Sequence, residues 1–186
     1  MDSDSPGPSD SARGLLVVHT GRMHILVTAA SKHGSAHEIA EAIAHRLEDA
    51  GHSVDVVAPA AVESVDPYDV VVCGSAVYIL QWMDEAKSFL ERFAEQLKTK
   101  RVWAFSVGMN GVPKHAPQDP TRIGPALTYV LAIDKHTFAG RYKPSLLSLR
   151  ERSVARLAGV VEGDFRDWSE VEAWADSIAA ELSDKD

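Results

Sequence analysis

Apolar residues fall in two alternating rhythms along this chain. Short unbroken runs such as HILVTA (24–29) and YDVVVCGS (68–75) suit strands buried on both faces. Between them the spacing changes. From Ala36 the apolar positions Ile39, Ala40, Ile43, Ala44, Leu47 and Ala50 make one helical stripe. Gly51 follows it, the residue type best able to take the left-handed conformation just past a helix end. SVDVVAP (53–59) and RVWAFSVG (101–108) predict further strands, and DKHTFAGRY (134–142) a weaker one. A helix is predicted over 83–97, with Met83, Ala86, Phe89, Leu90, Phe93, Ala94 and Leu97 on one face. Another is expected within 119–132, where Gly124 and Pro125 leave its form open. The last helix starts at DWSE, where Asp167 and Glu170 have capping-box spacing. It is predicted to bury Trp168, Val171, Trp174, Ala175, Ile178 and Leu182.

Strands alternating with helices imply a doubly wound parallel sheet with helices on both faces. Such sheets bind ligands beyond the carboxyl ends of their strands. The loops to examine are therefore 30–35, 75–82 and 106–118. With 186 residues the chain suits one domain. The opening MDSDSPGPSDSARG is acidic and rich in Ser, Pro and Gly, and has neither the basic start nor the apolar core of a secretory signal. It predicts a disordered tail over 1–22, with the folded domain over 23–186.

Composition narrows the function. A net charge of −8 disfavours general nucleic-acid binding, which needs Lys and Arg in excess to neutralise phosphates. Cys73, the single cysteine, excludes an intrachain disulfide and a zinc site built on thiolates. It fits a buried strand position and a reducing, cytoplasmic setting.

The first loop places Ser31, Lys32, His33, Gly34 and Ser35 between a strand and a helix. Unpaired N–H groups at a helix start attract anions, and Gly34 lets the backbone come close or take positive φ. The other reading of the same residues is a capping box, since SAHE sets Ser35 three residues before Glu38. Sequence alone leaves both open. No G-x-G-x-x-G follows the first strand and no G-x-x-x-x-G-K-[ST] occurs, which disfavours dinucleotide and nucleoside-triphosphate sites. HEIAE starts like a zinc-protease helix, but Glu41 stands where the second histidine must be.

Three blocks, ASKHGSAHEIAEAIA, YDVVVCGSAVYILQWMDEAKSFL and EGDFRDWSEVEAWADSIA, together resemble the flavodoxin-domain family over about residues 23–183. That family includes the menaquinone-dependent protoporphyrinogen dehydrogenase of bacterial haem synthesis. The resemblance implies a flavodoxin-like five-stranded parallel sheet in order 2-1-3-4-5, with one FMN at the strand ends. Carried onto this chain, Ser31 and Ser35 and the backbone of Lys32, His33, Gly34 and Ala36 hold the phosphate. Ser75, Ala76, Val77, Tyr78 and Trp82 run along one side of the isoalloxazine. Ser106, Val107, Gly108, Asn110 and Gly111 run along the other. The chain departs from the family pattern at Ala36, where a hydroxyl residue is usual, and at His33, often a hydroxyl residue too. One lost hydroxyl bond to a charged phosphate costs about 1.5–3 kcal/mol, roughly ten- to a hundredfold in affinity.

Beside that loop, His33 is placed to donate to a phosphate. The aromatic rings of Tyr78 and Trp82 suit stacking on a flat flavin or packing against the following helix. No Ser–His–Asp set or carboxylate pair stands out, so no catalytic side chain is expected; the reactive centre would be the cofactor's own. Lys114 and His115 fit either substrate steering or a solvated loop. A basic helical insert is expected at about 142–163, flanked and studded by Arg141, Lys143, Arg150, Arg152 and Arg156, with a capping-box start at Ser148. The favoured reading packs its apolar face on the domain; the other lays 141–156 on a membrane surface. The resulting expectation is an FMN-dependent oxidoreductase between a reduced organic substrate and a quinone or redox partner, protoporphyrinogen dehydrogenase-like. A flavodoxin-like electron carrier and a flavin-free binding module are the alternatives.

Overall fold

The computed structural model describes residues 21–78, 81–108, 130–157 and 159–183, with backbone alone at Tyr78 and Val154. The tail through residue 20, Asn110, Gly111, Lys114, His115 and the helix expected from 119 lie outside these residues, that helix up to 129. In chain order the larger elements are β1 (His24–Ala30), α1 (Ser35–Asp49), β2 (Ser53–Val56), β3 (Val70–Tyr78), β4 (Gln81–Trp82), α2 (Asp84–Arg92) and α3 (Ala94–Leu97). They continue with β5 (Arg101–Gly108), β6 (Asp134–Ala139), β7 (Arg141–Tyr142), α4 (Leu149–Leu157), β8 (Gly163–Asp164) and α5 (Trp168–Ser183).

Five parallel strands lie in the order β2-β1-β3-β5-β6, and β4 folds back antiparallel on β3. Counting the parallel strands alone, this is the flavodoxin-like order 2-1-3-4-5. The continuous apolar runs explain the arrangement: Ile25, Leu26, Val27, Val70, Val71, Val72 and Val102 are fully buried, as strands covered on both faces require. On one face α1 and α5 pack Ile39, Ile43, Leu47, Val171 and Ile178 against the sheet. On the other, α2 and α3 contribute Ala86, Phe89, Leu90 and Leu97. Under the first layer Gly74 makes room for Phe105, whose ring carbon Cζ would lie 2.2 Å from a Cβ there.

Several elements differ from the sequence expectation for local reasons. The 83–97 helix breaks at Phe93 (φ −112°), which is buried against Phe89. Strand β2 is short because Pro59 starts a single 3-10 turn. Region 134–142 divides at Gly140, whose N–H donates to the Gly108 carbonyl (2.7 Å). Trp168, expected inside, is 39% exposed, with the Arg166 guanidinium 4.6 Å above its ring. Gly51 ends α1 as its type suggested. At φ +96° its N–H bonds the Glu48 carbonyl and that of His52 bonds Leu47, the paired bonds of a Schellman ending. Cys73 is buried, and burial pushes its thiol up to about 12.

The insert is an excursion closed at its base by the antiparallel pair β7–β8, with Arg141 opposite Asp164 and Tyr142 opposite Gly163. Helix α4 lies within it. Ala155 is buried, but Leu149 and Leu157 are 80% and 90% exposed. The expected packed apolar face of this helix is therefore narrow. Its leucines stand in water beside Arg150, Arg152 and Arg156.

Candidate anion site at the strand ends

Register alone draws a line across the carboxyl ends of the sheet. Ala30 pairs with Ser75, Ser75 with Ser106, and Ser106 with Thr137. Small residues in this row keep the strand ends low. The 31–35 loop leaves β1 at this edge, and β3 and β5 end there. Ser75, fully buried, accepts from the Met83 N–H (2.9 Å) and donates to the Ala76 carbonyl (2.8 Å), fixing where α2 begins. Trp82 donates from Nε1 to Ser106 Oγ (2.8 Å) and is 2% exposed. Its indole packs in the layer of Ala86, Phe89 and Leu90 and pins the β3–β4 hairpin to β5. A ring so enclosed fits the second of its two readings, packing against the following helix. Of the other residues expected here, Ala76 and Val77 are half-buried, Val107 is buried and Gly108 half-buried. Tyr78 ends β3, its ring not described, and Asn110 and Gly111 lie outside the described residues.

The 31–36 loop is the part with the clearest chemistry. Gly34 is the N-cap of α1 in the left-handed conformation (φ +85°) and makes no side-chain cap. The capping box that SAHE suggested does not form. Ser35 Oγ instead accepts from the Arg141 N–H of β7 (3.2 Å). Glu38 turns the same way: Oε1 accepts from Arg141 Nη2 (2.7 Å) and Oε2 from Arg166 Nη1 (2.6 Å). Ser31 Oγ accepts the Ala36 N–H (3.1 Å). What Ala36 offers the loop is thus an N–H already met, while its methyl is buried with the core of the α1 layer. Among the described residues, no acceptor meets the N–H of Gly34 or Ser35. These donors, the positive end of α1 and the Ser35 hydroxyl proton suit one occupant, an anion at the helix start.

Charges around the loop are arranged in pairs. Lys32 Nζ meets Glu151 Oε1 of α4 at 2.5 Å, and His33 Nε2 lies 3.4 Å from the same oxygen. Arg166, its side chain 4% exposed, is shared by Asp164 and Glu38, both at 2.6 Å. The Arg166 hydrogen bond holds the carboxyls of Glu38 and Asp164 below their usual range, and the Lys32 bond takes Glu151 down to about 2. Gly140 completes the constellation. A Cβ there would lie 3.0 Å from the Gly108 carbonyl oxygen and 3.7 Å from Ser35 Oγ, so its bare backbone lets two of the loops close up.

Sequence reading missed Glu38, Gly140, Glu151 and Arg166 as parts of this site, and took Arg141 for insert charge. Glu38 and Glu151 carried a local signal, the SAHE and SLRE boxes, which placed each at a helix start without saying which distant cation its carboxylate would meet.

Comparison with known proteins agrees with the geometry. A model of the flavodoxin domain family matches residues 26–166. No curated protein matches the chain in sequence. The fold superposes on a Streptococcus pneumonia TIGR4 flavodoxin with TM-score 0.59 and 19% identity, over 85% of this chain and 99% of that one. A flavodoxin from the domain Archaea gives 0.56 and 16%, over 86% and 99%. The rubredoxin oxygen:oxidoreductase of Desulfovibrio gigas gives 0.60 and 14%, over 87% of this chain but 36% of that one, so this chain spans about a third of that protein. Sheet order, a helix start open to an anion and a family match over most of the length lead to one assignment: the chain belongs to the flavodoxin domain family.

Proposed function

We propose that this chain is an FMN-dependent oxidoreductase that passes electrons between a reduced organic substrate and a quinone or redox partner, protoporphyrinogen dehydrogenase-like in type. FMN is the cofactor of the flavodoxin domain family. The observation that carries the reading is the diversion of Ser35 and Glu38 to β7, which leaves the first N–H groups of α1 for a ligand. A phosphate monoester matches that cradle in charge and in its need for several donors. FMN, when bound, supplies hydride or single-electron chemistry.

The residues of this chain have the supporting tasks. Gly34, Ser35 and Ser31 shape and hold the phosphate turn. The Trp82–Ser106 bond fixes the two further strand ends relative to each other, so that a flat ring between their loops has a defined seat. The insert, tied down through Arg141 and Glu151, restricts water at the phosphate end. The exposed α4 face, Leu149 and Leu157 among arginines, suits an anionic membrane surface where a quinone acceptor resides. Among the described residues no helix is long and apolar enough to cross a membrane, so contact there would be peripheral.

The visible spectrum of the purified protein is the first test. Flavin bands, or their appearance with tight binding on adding FMN, are expected; a colourless protein indifferent to FMN overturns the reading. Steady turnover with a quinone acceptor then separates an enzyme from an electron carrier, and protoporphyrinogen is the substrate to try first. Flotation with anionic liposomes, lost on Arg150→Glu with Arg156→Glu, tests the α4 face.

A further inference from the structure

Glu151 is held from two sides. Its Oε2 accepts from the Ser148 N–H (2.8 Å) and Oγ (2.7 Å), the return arm of a capping box that fixes the carboxylate at the start of α4. That leaves Oε1 aimed at the phosphate turn, against Lys32 Nζ at 2.5 Å and 3.4 Å from His33 Nε2. The side chain is 20% exposed, unlike its outward neighbours Leu149 and Leu157. A fixed negative charge thus stands beside the helix start that the proposed function gives to a phosphate.

We propose that Glu151 is a built-in competitor for the cofactor phosphate: it neutralises Lys32 and sets the affinity of the 31–36 turn for a mononucleotide. A phosphate dianion entering the turn meets a lysine already paired and a like charge nearby, and each lowers its affinity. When Glu151 lets go, Lys32 turns to the phosphate, so cofactor binding draws on the contact that seats α4. A different role would give the opposite sign. Were Glu151 only a tether that keeps the insert folded over the site, removing its charge would loosen the cover and weaken binding.

Glu151→Gln distinguishes the two, because glutamine keeps the capping box while losing the charge. The proposal rests on the FMN reading, so titrations of wild type and variant use both FMN and riboflavin, which lacks the phosphate. The expected result is FMN binding roughly threefold to tenfold tighter in the variant, with riboflavin unchanged, the size of effect one charge has at a helix start. Equal or weaker FMN affinity, or an equal gain for riboflavin, overturns the competitor role while leaving the FMN reading intact. Failure of both proteins to bind FMN overturns the cofactor reading, and this proposal falls with it. Circular dichroism of the variant, unchanged from wild type, shows that the comparison is between folded proteins.

Discussion

Replacing Glu38 by glutamine keeps the shape of the side chain and removes the charge that holds two arginines from distant parts of the chain. Oε1 accepts from Arg141 Nη2 at 2.7 Å, and Oε2 from Arg166 Nη1 at 2.6 Å. The arginine side chains are 16% and 4% exposed, but the Glu38 side chain is 38% exposed, so water screens part of the attraction. Asp164 still holds Arg166 in the variant, at 2.6 Å, whereas Arg141, 16% exposed, keeps only the neutral amide in place of its carboxylate. The loss should therefore exceed that of a surface pair and stay below that of a broken buried one, about 1–2 kcal/mol. In a domain of this size that lowers the melting temperature by roughly 2–8 °C.

The pH dependence gives a sharper check. The Arg166 hydrogen bond and then that of Arg141 hold the Glu38 carboxyl below its ordinary 4.5, against an opposing push from partial burial. A carboxylate lowered on folding adds stability that is complete above the unfolded value and is lost as pH falls through the folded one. Once protonated, Glu38 is as neutral as the glutamine that replaces it. The gap between wild type and Glu38→Gln should be full at neutral pH, start to close below about 4.5 and vanish in stronger acid. Thermal or urea melts of both proteins at stepped pH measure it. A gap absent at neutral pH, or constant into acid, refutes the clamp.

Three further outcomes are expected. Gly74→Ala should destabilise by about 1–3 kcal/mol or more, since its Cβ would sit 2.2 Å from the Phe105 ring in the middle of the sheet, and Phe105→Leu in the same chain should recover part of the loss; unchanged melting of the single variant would contradict this packing. Gly34→Ala forces a left-handed φ of +85° on a side-chain residue and should cost about 1–2 kcal/mol while weakening FMN binding, read by melting and by flavin titration. Burial lowers the His52 imidazole from its usual 6.5, so the neutral form is the folded one: stability is complete above that value and declines as pH falls below it. An NMR titration of His52 that runs at or above the usual value would contradict this.

The three capping boxes read from the sequence show where local reading stops. At Ser148 and Glu151 the box forms in both directions. At Asp167 the cap forms, accepting from the N–H of Ser169 (3.0 Å) and Glu170 (3.3 Å), but the Glu170 carboxylate goes to His136 instead. At Ser35 and Glu38 neither arm forms. What differs is a competitor remote in sequence: Arg141 and Arg166 lie 103 and 128 residues beyond Glu38. The strands were legible because their burial on both faces writes a continuous apolar run; alternation with helices implied a parallel sheet, and its order came from the family resemblance. Trp82 carried two readings, and its bond to Ser106 and its burial beside Ala86 and Phe89 match packing against the following helix. Trp168, at a helix start, looks like core but stands 39% exposed, with the guanidinium of nearby Arg166 over its ring.

The charges at this end also bear on how an acidic protein would hold the proposed anion. Among the described residues, Lys32, Arg141 and Arg166 are the cations at the turn, and each is matched by a carboxylate: Glu151, Glu38, and Asp164 shared with Glu38. Matched cations contribute little net field, so attraction for a phosphate falls to the backbone donors and the helix end, which need no rearrangement when the ligand arrives. The pairs are not equally permanent. Arg141 and Arg166 are 16% and 4% exposed, and parting either from its carboxylate would leave a largely desolvated guanidinium. Lys32 is 51% exposed, on a flexible stem, with water at hand to solvate it during exchange. Of the three cations, then, Lys32 is the one that can change partners at small cost, and its present partner belongs to the insert. The two arginines fix the base of the insert to α1; on the proposed reading, the lysine would make its tip answer to the anion in the turn.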